Sequence, residues 1–349
     1  MDTITQAILG AAVGEATLGR KAGNKAPMWG AISAIIPDLD IIPGHFMDDV
    51  TRLAFHRGFS HSLLFCLLLA PAAGWLIAKI HRKENPDWRP WAVLFFLGMS
   101  THILLDCFTT WGTQVFWPFK YRVAWNTIFV IDPLYSIPFA LFVILVLFQK
   151  KNARQRKMFN WIGIGLSSFY LLITVVNKHI AQDAFIKAFR GTESGYMRVN
   201  TRPAPVNSIL WIGTIETRDG FYEGSYSLFD PDKNIQFEYF PKNHELIEPL
   251  KKNEKMKELI YLMKGYYTVV PDGKDLLFRD FRYGRALSWR PGQGGNDFTF
   301  EYRISGKTGF ESSKTLNIMR VRNRPDINKH NFVDLWNRIL GKRDFLNRN

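Results

Sequence analysis

The sequence predicts a multi-pass α-helical membrane domain over residues 1–177, followed by a soluble α+β domain over residues 178–349. Three observations predict it. Long uncharged apolar runs fill the first part. Ten of the acidic residues precede residue 178 and 21 follow it. Past residue 177, apolar and polar residues alternate instead of running together. The near-zero mean hydropathy averages these two unlike populations.

Two apolar segments open the chain, residues 4–18 and 28–46, and they carry Glu15, Asp38 and Asp40. An ionisable group at mid-membrane costs about 2.5–3.5 kcal/mol on insertion scales, so it needs a partner or a task. These segments are expected to be two helices packed on the bundle near an interface, or half-inserted. Four runs then read as spans: residues 62–80, 91–108, 128–148 and 161–176, each near the ~17–25 residues that cross a hydrocarbon core. The third contains Pro133 and Pro138, so its first turns are expected to kink or lie outside the membrane. The alternative is a soluble bundle of buried helices. It requires a polar face that LLFCLLLAPAAGWLIA lacks.

In the second part, SILWIGTIET and FYEGSYSLF are rich in β-formers and flank Asp219-Gly220, which predicts a hairpin. Residues 245–264 read as an amphipathic helix. Residues 274–289 and 297–304 read as strands separated by PGQGGN. No internal repeat is seen.

The charge of +14 divides as +6 before residue 178 and +8 after it. Without a basic stripe interleaved with base-stacking aromatics, no nucleic-acid partner is expected. Cys66 and Cys107 lie inside apolar runs, which argues against a disulfide framework and a thiolate metal site. Asp2 stands where a basic n-region belongs, so no cleavable signal peptide is expected. The loops between the first and second and between the third and fourth runs hold eight Lys/Arg, against Lys120 and Arg122 in the remaining loop. The positive-inside rule puts the first pair in the cytoplasm, and the C-terminal domain outside the cell membrane.

Four features carry chemistry: Pro37-Asp38-Leu39-Asp40, HRGFSH at residues 56–61, HILLD at residues 102–106, and Glu15 in the first helix. In HILLD, His102 and Asp106 stand at i and i+4 and project from one helix face. By the loop argument they lie near the outer end of the second run, and HRGFSH precedes the first run on the same side. Singly, each motif has a plain explanation. PDLD suits a helix-ending turn, HxxxD a hydrogen-bonded pair, and HRGFSH a basic loop in which Ser60 caps the next helix. Together they point to one metal site at a membrane face. Imidazole and carboxylate without thiolate suit Zn²⁺, and also Mn²⁺ or Fe²⁺. Six candidates (Asp38, Asp40, His56, His61, His102, Asp106) exceed the needs of one catalytic ion. Either two ions sit side by side or some carboxylates orient histidines. Arg57 is placed to hold an anionic group, or else to pair with Asp38, Asp40 or a lipid phosphate. Glu15 is a candidate catalytic group. CFTTWGTQVFWPFKYRVAW, after HILLD, reads as an interfacial aromatic belt or as the lining of a head-group pocket. His45, His81, His179, His244 and His330 show no partner pattern.

MDTITQAILGAAVGEA, PDLD, HRGFSHSLLF and HILLDCFTTWGTQVFWPF together resemble the bacterial membrane-bound metal-dependent hydrolases, the YdjM-like family, over about residues 1–135. TRPAPVNSILWIG and GFYEGSYSLFD are similar to the C-terminal domain of one branch. The family's hydrolase label rests on a distant similarity to zinc-dependent phospholipase C. The resemblance implies Asp38, His56, His61, His102 and Asp106 as metal ligands and Asp40 as a ligand or general base. Many members carry His in the first helix where Gln6 stands here, which removes one ligand. The expected function is a membrane-embedded metal hydrolase acting on a phosphoester or other ester of an amphiphilic, lipid-like molecule, with membrane lipids as surroundings. The competing expectation is a non-catalytic envelope factor with a structural metal, binding a protein partner through its C-terminal domain. A mid-membrane transporter site fits poorly, because the ligands cluster toward one end of the runs.

Overall fold

The computed structural model describes residues 1–83, 86–190, 195–290, 298–306, 316–322 and 329–343. The chain divides into two compact units. One comprises Met1–Phe46, Phe55–Val175 and Pro205–Asn207; the other comprises Met47–Ala54, Val176–Ala204 and Ser208–Asn349.

The first unit is helical. α1 (Thr3–Ala22) starts where the Asp2 side chain accepts from the Thr5 backbone N–H. It ends at Gly23, whose φ of 58° suits a residue without a side chain. α2 (Lys25–Ile35) returns along it and tightens into a 3₁₀ turn, Ile36–Asp40, and then the short α3 (Ile41–Gly44). α1 and α2 meet backbone to backbone. A Cβ on Gly14 would lie 2.2 Å from the Ala26 carbonyl oxygen, and one on Gly30 would lie 2.1 Å from that of Gly10. Small residues four apart allow this approach. α4 (Asp49–Phe55) leads into HRGFSH.

α5 (Leu63–Ile80) and α6 (Trp88–Cys107) are long and apolar enough to cross a membrane. α6 is central: Trp91, Leu94, Phe95, Met99 and Ile103 are buried against Leu18, Ala26 and Cys66. A Cβ on Gly98 would meet the Ser33 hydroxyl at 1.9 Å, so α6 also lies close on α2. α5 instead turns Leu67, Leu68 and Leu76 outward. α7 (Pro133–Leu147) is shorter than the apolar run at 128–148 implied. Asp132 caps it, accepting from the Leu134 backbone N–H, and Pro133 fixes its first turn. α8 (Arg154–Phe189) is longer than expected, 36 residues, because polar sequence at both ends continues the helix. Among the described residues three helices qualify as spans by length and composition (α5, α6 and α8), and α7 is a shorter apolar helix. Cys66 and Cys107 are free and buried, as expected.

Among the described residues the second unit carries two four-stranded antiparallel sheets, each in sequential order. The first contains β1 (Arg198–Pro203), β2 (Leu210–Glu216), β3 (Gly220–Ser227) and β4 (Phe237–Pro241). The hairpin expected at Asp219-Gly220 joins β2 to β3, with Leu210 opposite Ser227 and Glu216 opposite Phe221. Phe185 and Phe189, near the end of α8, pack on Trp211, Ile215 and Tyr226. The amphipathic stretch at 245–264 is broken. Pro249 confines its first part to a 3₁₀ helix, His244–Leu250, and α9 (Glu254–Leu262) follows. The second sheet contains β5 (Tyr267–Asp272), β6 (Asp275–Asp280), β7 (Glu301–Gly306) and β8 (Leu316–Val321), and α10 (Lys329–Ile339) closes the chain. The strand expected over 274–289 stops at Asp280. Its carboxylate accepts from the Arg282 backbone N–H and turns the chain. PGQGGN lies outside the described residues. Segment 47–54 joins this unit: Asp49 accepts from the Arg320 backbone N–H at 2.7 Å, and Asp48 pairs with Lys255.

The α1–α2 contact leaves no room for a methyl group. Gly30→Ala is expected to destabilise the helical unit by about 1–3 kcal/mol through overpacking, read as a lower unfolding midpoint in detergent. An unchanged midpoint would show that the helices do not meet at Gly30.

Candidate metal centre

Three short backbone devices bring the polar motifs together. Pro37 cannot continue α2 as an ordinary helix, and the 3₁₀ turn of Ile36–Asp40 carries Asp38 and Asp40. In HRGFSH, Arg57 takes a left-handed φ of 59°, and Phe59–His61 forms a second 3₁₀ turn. Ser62, not Ser60, caps α5 by accepting from the Phe65 backbone N–H at 3.1 Å. On α6 the spacing of His102 and Asp106 puts Nε2 of one 3.4 Å from Oδ2 of the other.

Asp38, His61, His102 and Asp106 converge. Each offers one ligand atom, and these four atoms lie within 4.8 Å of one another. His61 Nε2 is 3.2 Å from Asp38 Oδ1, 3.2 Å from His102 Nε2 and 3.5 Å from Asp106 Oδ2. His102 Nε2 is 3.7 Å from Asp38 Oδ1. Ligand atoms bound tetrahedrally to one Zn²⁺-sized ion at about 2.0–2.1 Å are about 3.3 Å apart, close to the separations that involve His61 and His102. The donor chemistry fits too. His102 Nδ1 meets the Ala34 carbonyl oxygen at 2.5 Å, so Nδ1 carries the proton and Nε2 presents a lone pair. On the same hydrogen-bond logic, His61 Nδ1 donates to Ser60 Oγ at 3.0 Å, which donates to Asp40 Oδ2 at 2.8 Å, leaving Nε2 for the cluster. Asp106 Oδ2 is buried and makes no hydrogen bond among the described residues, with Arg57 Nε 3.0 Å away as its ion-pair partner. His61, His102 and Asp106 side chains are sealed, and Asp38 keeps 15% of its surface.

The other sequence candidates take different places. Asp40 accepts from His56 Nδ1 at 2.9 Å and from the Arg57 backbone N–H at 3.0 Å as well as from Ser60. Its oxygens are occupied by the loop, and it orients the loop rather than joining the four converging residues. Burial opposes the charge on Asp40, yet bonds from His56 and His61 hold its carboxyl well below the usual range. His56 lies against Trp111 in a T-shaped contact and is not among the four converging residues. Arg57 is buried, with Nε 3.0 Å from Asp106 Oδ2 and Nη1 donating to Thr109 Oγ1 at 2.8 Å. Of the pairings considered for Arg57, neither Asp38 nor Asp40 is the side chain it meets. Gln6 Nε2 donates to Asp106 Oδ1 at 3.0 Å, and the Met1 amino group also bonds that oxygen. Glu15 is not brought to the cluster; it pairs with Arg156 at 2.6 Å. Ser60, Thr109 and the Ala34 carbonyl were missed as partners, and only Ser60 had a signal, its place inside HRGFSH. His81, whose sequence context shows no partner pattern, accepts from Trp29 Nε1 at 2.9 Å.

The YdjM inner membrane protein family model matches residues 1–181, about half of the chain and all of the residues in the cluster. The chain belongs to the YdjM inner membrane protein family. Membership and the apolar helices place it in a membrane. It is also 29% identical over 148 residues to the uncharacterized protein YfhP of Bacillus subtilis (strain 168), covering 39% of this chain and 43% of that one. The chain thus spans under half the length of that relative. No solved structure gives a significant match.

Burial opposes a proton on His61, but bonds to Asp106, Asp38 and Asp40 outweigh it and push the imidazolium up to about 9 without an ion. A metal must displace that proton. Below pH 9 the apparent affinity for Zn²⁺ is therefore expected to rise up to about tenfold per pH unit and to level off above it, measured by chelator competition. His61→Ala and His102→Ala are expected to lose the metal while Glu15→Gln keeps it. Retention of metal by both histidine variants would rule out the centre.

Proposed function

We propose that this chain is a membrane-embedded, metal-dependent hydrolase acting on a phosphoester or other ester of an amphiphilic, lipid-like substrate at the membrane interface. The observation that carries the reading is the convergence of His61 and His102 Nε2 with the Asp38 and Asp106 carboxylates beside a buried arginine. A divalent ion held there, with Zn²⁺ the best fit to the spacing, supplies Lewis-acid chemistry: it acidifies water and polarises a phosphoryl or carbonyl oxygen. The chain's own residues do the rest. Asp38, the one partly open member, marks the side from which substrate enters. Asp40 fixes His56, Arg57 and, through Ser60, His61, so that the ligand lone pairs stay aimed. Arg57 holds Asp106 in place and offers positive charge to an anionic group on the substrate. His56, partly exposed on Asp40, is positioned to pass a proton between the site and solvent.

The reading includes four spans, α7 among them, with the loop before α8 in the cytoplasm and the centre on the outer side with the C-terminal unit. Loop charge supports this orientation.

One observation favours a second reading, an envelope factor with a structural metal that binds a protein partner through its C-terminal unit. Four protein ligands suffice for a closed tetrahedral sphere, and three of these four are sealed.

Two measurements separate the readings. The cobalt-substituted protein is expected to change its visible spectrum on adding azide, which reports an open position. Protein in phospholipid vesicles is expected to release a head group or fatty acid, with Asp40→Asn slowing release by about 10–100-fold. A silent cobalt spectrum together with no ester cleavage in metal-loaded protein would overturn the hydrolase in favour of the structural metal. Reporter fusions at Lys151 and Asn349 are expected to report opposite sides, with Lys151 cytoplasmic. An external Lys151 would reverse the orientation.

A further inference from the structure

At the end of α1 and the start of α8, away from the metal centre, the helical unit holds a cavity of about 700 Å³. Arg20, Lys151, Arg154, Arg156 and Lys157 line it, and Glu15 is the one acidic residue among its lining groups. That acid is already neutralised. Arg156 Nε and Nη2 donate to the two Glu15 oxygens at 2.8 and 2.6 Å, while its Nη1 donates to Asn24 Oδ1 and to the Gln149 carbonyl. The pair is nearly sealed, with 2% and 7% of the side-chain surfaces exposed. It therefore forms a rigid, neutral wall. The other four cations are exposed on the remaining walls and repel one another across the cavity. An anion seated between them relieves that repulsion, and its charge is compensated several-fold over.

Two further observations say which anion. Asn160 is buried in the wall; its Nδ2 donates to the Ala12 carbonyl at 3.0 Å, which leaves Oδ1 as an acceptor without a partner among the described residues. The oxygens of a phosphate diester carry no proton and cannot satisfy that acceptor, but a hydroxyl attached to the same ligand can. Trp161, half-exposed at the rim, begins the apolar stretch of α8. The mouth therefore lies where hydrocarbon gives way to head groups, the depth at which tryptophan collects. A soluble phosphate has no use for that rim; a lipid has an acyl chain to lay along it.

We propose that this cavity is a binding site for the head group of an anionic phospholipid, a phosphate diester carrying a hydroxyl as in phosphatidylglycerol. The phosphate sits among Arg20, Lys151, Arg154 and Lys157, the hydroxyl donates to Asn160, and the Glu15–Arg156 pair fixes the floor. Glu15 thus belongs to this second site. The proposal does not depend on the metal centre or on hydrolysis.

The test uses the full chain in nanodiscs of phosphatidylcholine, with or without phosphatidylglycerol, and counts lipid retained on extraction by native mass spectrometry. Phosphatidylglycerol is expected to be retained in preference to phosphatidylcholine. Neutralising two cavity cations, Arg20→Gln with Lys157→Gln, is expected to cut retention about 25-fold, at about fivefold per cation. The control pair Arg82→Gln with Lys83→Gln, in a different loop of similar charge, is expected to retain lipid as the wild type does. Inorganic phosphate added to phosphatidylcholine discs is expected not to raise the unfolding temperature as phosphatidylglycerol does. Equal losses in both variant pairs would reduce the effect to diffuse surface charge and overturn the site. Stabilisation by inorganic phosphate alone would assign the cavity to a soluble ion and overturn the lipid. An unchanged unfolding temperature and gel-filtration profile of the variants in phosphatidylcholine discs shows that they are folded. If the first pair does not accumulate, Lys151→Gln with Arg154→Gln gives the same reading.

Discussion

Sealing two imidazoles and a carboxylate inside a helical unit is costly unless each polar atom has a purpose, and the local structure around HRGFSH answers that cost. A buried charge left unpaired is penalised by several kcal/mol. His102 spends one nitrogen on the Ala34 carbonyl, His61 spends one on Ser60, and Asp106 is faced by Arg57, Gln6 and the amino group of Met1. One nitrogen on each histidine and Oδ2 of Asp106, which also faces Arg57 Nε, meet in the same place. Asp40 is the piece that makes this economical. One carboxylate accepts from a backbone amide, a hydroxyl and an imidazole within six residues of HRGFSH, so the loop has few alternative arrangements.

That economy depends on distance between backbones. The Ala34 carbonyl reaches His102 because α2 lies close on α6, where Gly98 leaves room for Ser33, and α2 is itself held by the glycine contact with α1. A single larger side chain at any of these positions moves the carbonyl that fixes the His102 tautomer. Packing and chemistry are therefore one problem in this half of the chain: the small residues are few, but each sets the position of a polar group several ångströms away.

Much of this was legible in the residues. The i, i+4 spacing of His102 and Asp106 survives folding unchanged, since a helix fixes it. HRGFSH and HILLD fall at the same end of the first two apolar runs, by the placement of those runs and the charge of the loops between them. The division of labour inside those motifs was not legible. Asp38 and Asp40 stand two apart on a 3₁₀ turn, and only the folded turn decides which of them joins the cluster; the folded loop likewise decides between His56 and His61. Glu15 carried the same signal as Asp38, an acid in an apolar helix. Its partner, Arg156, lies 141 residues away, where sequence gives no hint of pairing. In the second half, the aromatic and β-branched strands β2 and β3 announced themselves. β1, β4 and β8 carry arginine, proline or glutamate within short runs, and it is their ladder partners rather than their composition that make them strands.

Residues 47–54 connect the turn bearing Asp40 to the loop bearing His56, yet they belong to the unit built mainly from the C-terminal sheets. The chain thus leaves the helical unit and returns to it between two halves of the same centre. A boundary drawn once along the sequence cannot part the two units, whether by a protease, a truncation or a gene fusion. In evolutionary terms, changes in the late strands and changes in this early loop constrain one another, although some 270 residues separate Asp49 from Arg320.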